Sequence, residues 1–162
     1  MPSTEANPPA VGSKAPAFTA ISQSGEKVKL SQFKGQYVVL YFYPKDNTPG
    51  CTIEAREFRD SVEEFRSQNA VVLGVSPDSV ASHCKFIERF ELNFTLLADE
   101  GHELADAYGV WVQKSMYGKT FDGIQRSTFL IGPDGVIVQS WPKVKAEGHA
   151  AQVLKFLRDL AG

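Results

Sequence analysis

The run Tyr37-Val38-Val39-Leu40-Tyr41-Phe42-Tyr43 constrains the fold more than any other stretch of the chain. It has no polar face and is rich in β-branched and aromatic residues. It therefore predicts a strand covered on both sides, at the centre of a sheet with helices packed over it. Pro44 ends the run. Beyond it, Ala55, Phe58, Val62 and Phe65 recur at helical spacing, and Val71-Val72-Leu73-Gly74-Val75-Ser76 reads as a second buried strand. Strand, helix and strand in that order make a βαβ unit with a parallel pair at its heart.

Ser76-Pro77-Asp78 opens a further helix with Val80, Cys84 and Ile87 on one apolar stripe. Residues 94–98 read as a short strand and 102–108 as a short helix. Residues 127–131 and 136–141 flank Gly132-Pro133-Asp134-Gly135, a hairpin signal. The chain closes on an amphipathic helix carrying Ala150, Val153, Leu154, Leu157 and Leu160. An earlier small hairpin is expected around residues 18–21 and 28–30. The predicted class is α/β with a thioredoxin-like arrangement: a central mixed β-sheet flanked by helices, plus an extra N-terminal hairpin. Such an architecture does not by itself give a function.

The 162 residues suit one domain, with 43% hydrophobic and 22% charged residues. A net charge of −2 supplies no basic excess for nucleic acid or an anionic membrane. No apolar run reaches the roughly 18–20 residues that span a bilayer. The segment MPSTEANPPAVGSKAP lacks the basic and apolar regions of a secretory signal, so residues 1–11 read as a flexible lead-in and 12–162 as the single domain. Two cysteines without a signal point to a reducing compartment, with the cytoplasm as the expected location.

Cys51 stands alone in Tyr43-Pro44-Lys45-Asp46-Asn47-Thr48-Pro49-Gly50-Cys51-Thr52, because the residue three before it is Thr48 and not a second cysteine. Thr48 suits an N-cap and Pro49 the first helical position, which puts Cys51 in the first turn. There the unsatisfied N–H groups and the positive end of the helix dipole favour a thiolate over a thiol. Gly50 removes a side chain that could shield the sulfur. A cysteine that merely packs at a helix start would have the same spelling, but the strand-end loop and the helix signals together favour reactivity.

The motif Pro44-x-x-x-Thr48-x-x-Cys51 resembles the active-site motif of peroxiredoxins, and the longer stretch from Tyr41 to Thr52 resembles the peroxiredoxin Q (bacterioferritin comigratory protein) subfamily. The likeness continues through Gly74-Val75-Ser76-Pro77-Asp78-Ser79, Phe94-Thr95-Leu96-Leu97-Ala98-Asp99, Tyr117-Gly118-Lys119 and Arg126-Ser127-Thr128-Phe129-Leu130-Ile131. The resemblance implies a thiol peroxidase that needs no cofactor and no metal, with Cys51 attacking the terminal oxygen of a hydroperoxide to become a sulfenic acid. It gives Thr48 and the Cys51 backbone N–H as hydrogen-bond donors, Pro44 as the shield against water, and Arg126 as the cation at the sulfur. Glu54, one turn after Cys51, could orient Arg126. An acid in a first turn is also simply favoured by the dipole.

Many members of the subfamily carry a resolving cysteine five residues after the peroxidatic one, but that position here is Arg56. Cys84 is then the only intramolecular partner for Cys51. Against that role, Cys84 falls on the Val80–Ile87 stripe, where a free cysteine packs as a small hydrophobe. The alternative is a one-cysteine cycle with an external thiol. The resemblance implies thioredoxin or glutaredoxin as reductant, and a monomer is expected. His83, His102 and His149 show no ligand spacing. Met116-Tyr117-Gly118 reads as a loop that the resemblance places near the site. Two rivals remain on the residues alone: a thioredoxin-like protein exchanging disulfides, and a non-catalytic binding domain in which Cys51 only packs.

Overall fold

The computed structural model describes residues 6–161. Its elements are β1 (Thr19–Ser22), β2 (Lys27–Lys29), β3 (Tyr37–Phe42), α1 (Pro49–Ser67), β4 (Ala70–Ser76), α2 (Val80–Phe90), β5 (Thr95–Ala98), α3 (Glu103–Ala107), β6 (Trp111–Met116), β7 (Lys119–Ile124), β8 (Ser127–Ile131), β9 (Ile137–Trp141) and α4 (His149–Ala161). Seven strands form one sheet in the order β2-β1-β5-β4-β3-β8-β9. Strands β3, β4 and β5 run parallel, and β8 lies antiparallel on the other side of β3. The sheet is mixed, as expected, and β1–β2 is the N-terminal hairpin.

The apolar run of β3 sits near the centre of the sheet, and its alternation divides the core into two layers. Val38, Leu40 and Phe42 pack with Leu104, Tyr108, Phe129 and Ile131. Val39, Tyr41 and Tyr43 pack on the other face against Ala55, Phe58 and Phe65 of α1 and Val153, Leu154 and Leu157 of α4. Tyr41 stacks on Phe58 with ring centroids 4.6 Å apart. Phe58 is fully buried, which stabilises the fold by about 3 kcal/mol. This layer brings α1 onto the C-terminal end of β3, where parallel strands place their sites.

Three features depart from the pattern read in the sequence. Residues 111–124 form a separate two-stranded hairpin, β6–β7, with Tyr117 and Gly118 at positive φ in its turn. Most of β7 is exposed, so it carries no apolar alternation to announce it. Helix α2 is also rotated from the expected stripe: it buries His83 and Phe86 and leaves Cys84 exposed. The reason is that His83 is engaged by buried oxygens beneath the helix, which draws that side inward and turns the adjacent position out. Finally, of the lead-in expected over 1–11, residues 1–5 lie outside the described residues, while the Asn7 N–H donates to the Gly109 carbonyl at 2.8 Å.

Candidate active site

The loop after β3 enters α1 as its residues dictate. Thr48 has the extended backbone of an N-cap (φ −97°, ψ 156°) and Pro49 opens the helix. The Thr52 N–H donates to the Thr48 carbonyl at 2.8 Å, the first bond of the helix. The Thr48 hydroxyl does not cap, however. It donates instead to the Lys45 carbonyl at 2.9 Å, so its proton is engaged there while its oxygen keeps lone pairs able to accept. Pro44 is half-buried in the same loop.

Cys51 is only 2% exposed, packed in one cluster with Tyr43, Ala55 and Phe86. Gly50 therefore does not leave the sulfur open, as the sequence suggested. It makes room for Arg126: a Cβ at position 50 would lie 3.2 Å from Arg126 Nη2. Arg126, immediately before β8, extends its guanidinium fork into that space. Nη2 donates to Cys51 Sγ at 3.2 Å and Nη1 donates to Glu54 Oε1 at 2.7 Å. A fixed planar fork between a sulfur and a carboxylate is a task for arginine rather than lysine.

Glu54 is fully buried, and burial pushes its carboxyl up to about 7 even though Arg126 pulls the other way. Its Oε2 and the Tyr41 hydroxyl, both buried, have no hydrogen-bond partner among the described residues. Burial, then the charges of Glu54 and Cys51, raises Tyr41 well above the usual phenol range, so it stays neutral. For Arg126, burial acts downward but the charges of Glu54 and Cys51 outweigh it, and the guanidinium is held even more firmly protonated. Lys114 on β6 belongs to the same surroundings: burial and the Arg126 charge lower it, while Cys51 acts in the opposite direction. Nothing in the sequence singled out Lys114, because no element was expected over residues 111–115 that carry it.

The structure thus joins Cys51 and Glu54 through Arg126, which contacts both, with Thr48 and Pro44 in the loop that leads to them. It does not bring Cys84 to Cys51. Cys84 lies on the outer face of α2 and its thiol donates to the Gln23 carbonyl at 3.1 Å, whereas Phe86 on the inner face packs in the cluster around Cys51. Both cysteines are free thiols.

The comparisons with known proteins identify the family. The AhpC/TSA family model matches residues 11–140. Peroxiredoxin Bcp of Bacillus subtilis is 52% identical over 151 residues, covering 93% of this chain and 96% of that protein. The chain belongs to the AhpC/TSA family, as a peroxiredoxin of the Q/Bcp type. Peroxiredoxin Bcp of Escherichia coli K12 is 44% identical, covering 96% of this chain and 99% of its own. Among solved structures, a cysteine-to-serine mutant of Xylella fastidiosa PrxQ superposes with a TM-score of 0.90 at 41% identity, covering 94% of this chain and 98% of that one. Xanthomonas campestris peroxiredoxin Q gives 0.85 at 43% identity, covering 90% and 92%. A peroxiredoxin is a thiol peroxidase, and its thioredoxin-like sheet is the one observed here. No helix among the described residues is long and apolar enough to cross a membrane.

Proposed function

We propose that Cys51 is the peroxidatic residue and that the residues around it divide the work of one displacement. The thiolate attacks the terminal oxygen of a hydroperoxide, so that an S–O bond forms as the O–O bond breaks. The sulfur is oxidised to a sulfenic acid, and the departing oxygen leaves as an alcohol or water after taking a proton. The guanidinium of Arg126 stabilises the sulfur anion and the charge gathering on the peroxide oxygens. The Thr48 hydroxyl and the Cys51 N–H, which has no intrahelical acceptor in the first turn, orient the peroxide. Pro44 screens the sulfur from water, and Glu54 holds the guanidinium in place. The observation that carries this reading is the Arg126 fork spanning Cys51 Sγ and Glu54 Oε1.

The test is peroxide-dependent NADPH oxidation coupled through thioredoxin reductase and thioredoxin, or through a glutaredoxin system. Cys51→Ser is expected to abolish it. Undiminished turnover in that variant would sink the mechanism. Disulfide exchange without peroxide reduction would favour the thioredoxin-like rival, and no activity with any thiol donor a binding domain. The Xanthomonas campestris bacterioferritin comigratory protein, 43% identical, has been described for its alkyl peroxide reduction activity, and organic hydroperoxides are included among the substrates proposed here.

For the return step we infer that Cys84 resolves the sulfenic acid as a Cys51–Cys84 disulfide, which thioredoxin or glutaredoxin reduces in a monomeric, cytoplasmic enzyme whose single domain spans residues 12–162. Its exposure supports this, since an accessible thiol can both attack and be reached by a reductant. Peptide mass mapping after one equivalent of peroxide should find the linked pair. Persistent sulfenic acid, with Cys84→Ser turning over normally, would assign the one-cysteine cycle instead.

A further inference from the structure

A second buried polar cluster lies beneath α2, and the peroxidase chemistry leaves it unused. Asp46, in the loop that leads to Cys51, is buried. Its Oδ1 accepts from the Tyr43 hydroxyl at 2.6 Å. Its Oδ2 accepts from the Ser82 hydroxyl at 2.8 Å and faces His83 Nδ1 at 2.7 Å. The other ring nitrogen of His83 faces the Leu97 carbonyl at 3.0 Å. The Asp46 N–H donates to Asp78 Oδ2 at 2.7 Å, and the Ser76 hydroxyl donates to that same oxygen at 2.6 Å. Donor atoms of Asp46, Asp78 and His83 lie within 4.8 Å of one another, but hydrogen bonds already engage them, so the cluster is a clasp.

The clasp joins two parts of the molecule that the return step must separate. One is the loop ahead of Cys51; the other is the first turn of α2, where Cys84 directly follows His83. The inner face of α2 carries His83 and Phe86 and the outer face carries Cys84. A disulfide needs the two Cα atoms within about 7 Å with their Cβ atoms facing. Cys84 can face Cys51 only if this turn of α2 rotates or unwinds, and that motion pulls His83 away from Asp46. Both ring nitrogens of His83 face oxygens, Asp46 Oδ2 on one side and the Leu97 carbonyl on the other, so the ring is tied at both edges. Opening takes Ser82 and His83 away from Asp46 Oδ2 and leaves that buried oxygen without partners unless water enters, which makes the clasp a barrier to be crossed.

We propose that Asp46 and His83 are positioning residues for the resolution step: closed, the clasp holds the Cys51 loop and α2 in the arrangement that reduces peroxide, and its opening sets the rate of disulfide formation. This rests on the reading of Cys84 as resolver. In the step it gates, the Cys84 sulfur bonds to the Cys51 sulfur, the S–O bond of the sulfenic acid breaks, and the hydroxide leaves as water with the Cys84 proton. A slow clasp also lengthens the life of the sulfenic acid, the form that a second peroxide converts to sulfinic acid.

The experiment compares wild type with His83→Gln and with the milder Ser82→Ala, which removes a single bond to Asp46. Rapid mixing with hydrogen peroxide measures Cys51 oxidation, and quenched samples analysed by mass measure disulfide formation. Disulfide formation is expected to accelerate in both variants, by about two- to tenfold for the bond lost in Ser82→Ala and by more in His83→Gln. Cys51 oxidation should fall by less than disulfide formation rises, since no reacting atom is touched. Hydrogen exchange, measured in a Cys84→Ser background, should speed up over residues 44–50 and 79–90 and stay unchanged in α4. A disulfide that forms in wild type at a rate both variants leave unchanged overturns the clasp alone. Parallel loss of both steps, with exchange faster throughout, reduces it to a structural contact and also overturns the proposal. Absence of the disulfide in wild type overturns the resolver reading and the clasp's role with it.

Discussion

Cys51 and Cys84 both lie near the starts of neighbouring helices, yet the fold treats them oppositely. Cys51 is 2% exposed, its sulfur gripped by Arg126 and its helix entered through a loop of fixed shape. Cys84 faces outward and holds only a backbone carbonyl. One site suits a single reaction with a small oxidant that can reach a buried, charge-stabilised sulfur. The other suits exchange with thiols, where access matters more than activation. Burial beside a cation and exposure to solvent, which a single exposed cysteine could not combine, are here placed on different residues.

The sharpest way to break this contrast is to loosen the grip on Cys51. Arg126→Lys keeps the charge but cannot bridge Cys51 and Glu54 with one fork. The second-order rate of Cys51 oxidation by hydrogen peroxide should fall by roughly 10²–10³, and a rate within a few-fold of wild type would show that charge alone suffices.

Glu54 sharpens the same side of the comparison through pH. Its folded value of about 7 lies above its ordinary 4.5, so the native state holds the proton more tightly than the unfolded chain. Its stabilising contribution is complete below about pH 4.5, declines as the unfolded carboxyl ionises, and is lost above about pH 7. The displacement corresponds to on the order of 3 kcal/mol. Urea midpoints across this window should therefore fall more steeply with rising pH in wild type than in Glu54→Gln. Matching slopes would mean that the Arg126 pair fully offsets burial.

A smaller effect is expected at Gly50, where an added Cβ would press on Arg126 Nη2 at 3.2 Å. Gly50→Ala should lower the peroxide rate by roughly tenfold through the displaced guanidinium while helix propensity favours the variant by about 0.5–1 kcal/mol. Slower chemistry in a protein that is no less stable, read from kinetics and thermal melts together, would set the glycine's role apart from folding. Smallest of all, Cys84→Ser should change stability by no more than about 0.5 kcal/mol, since its side chain contributes nothing to the core. A large drop in the melting temperature would place Cys84 in a structural role after all.

Much of the site could be read from local spelling. The apolar run from Tyr37 to Tyr43 and the helix start at Thr48-Pro49 fix where Cys51 lies, because strand burial and helix initiation depend on residues adjacent in the chain. Arg126 and Glu54 were also legible, through a motif for one and a helical turn for the other. Residues whose roles depend on distant partners were not. The Thr48 hydroxyl turns to Lys45 instead of capping, Gly50 accommodates a guanidinium from β8, and the β6–β7 hairpin stays hidden because most of β7 faces solvent. The stripe on α2 misled because Val80, Cys84 and Ile87 fit helical periodicity, whereas His83 reads as polar and its burial depends on Asp46, far along the chain.

The sequence by itself determined the βαβ core and the presence of one cysteine in the first turn of a helix. These follow from hydrophobic periodicity and from capping, which act over a few residues. Tertiary structure alone decided that the Cys51 sulfur would be buried, that Glu54 would be buried deeply enough to titrate near neutrality, and that Cys84 would face solvent. Burial, charge pairing and the direction a side chain points are set by what the folded chain brings alongside, and no local stretch of sequence contains those neighbours.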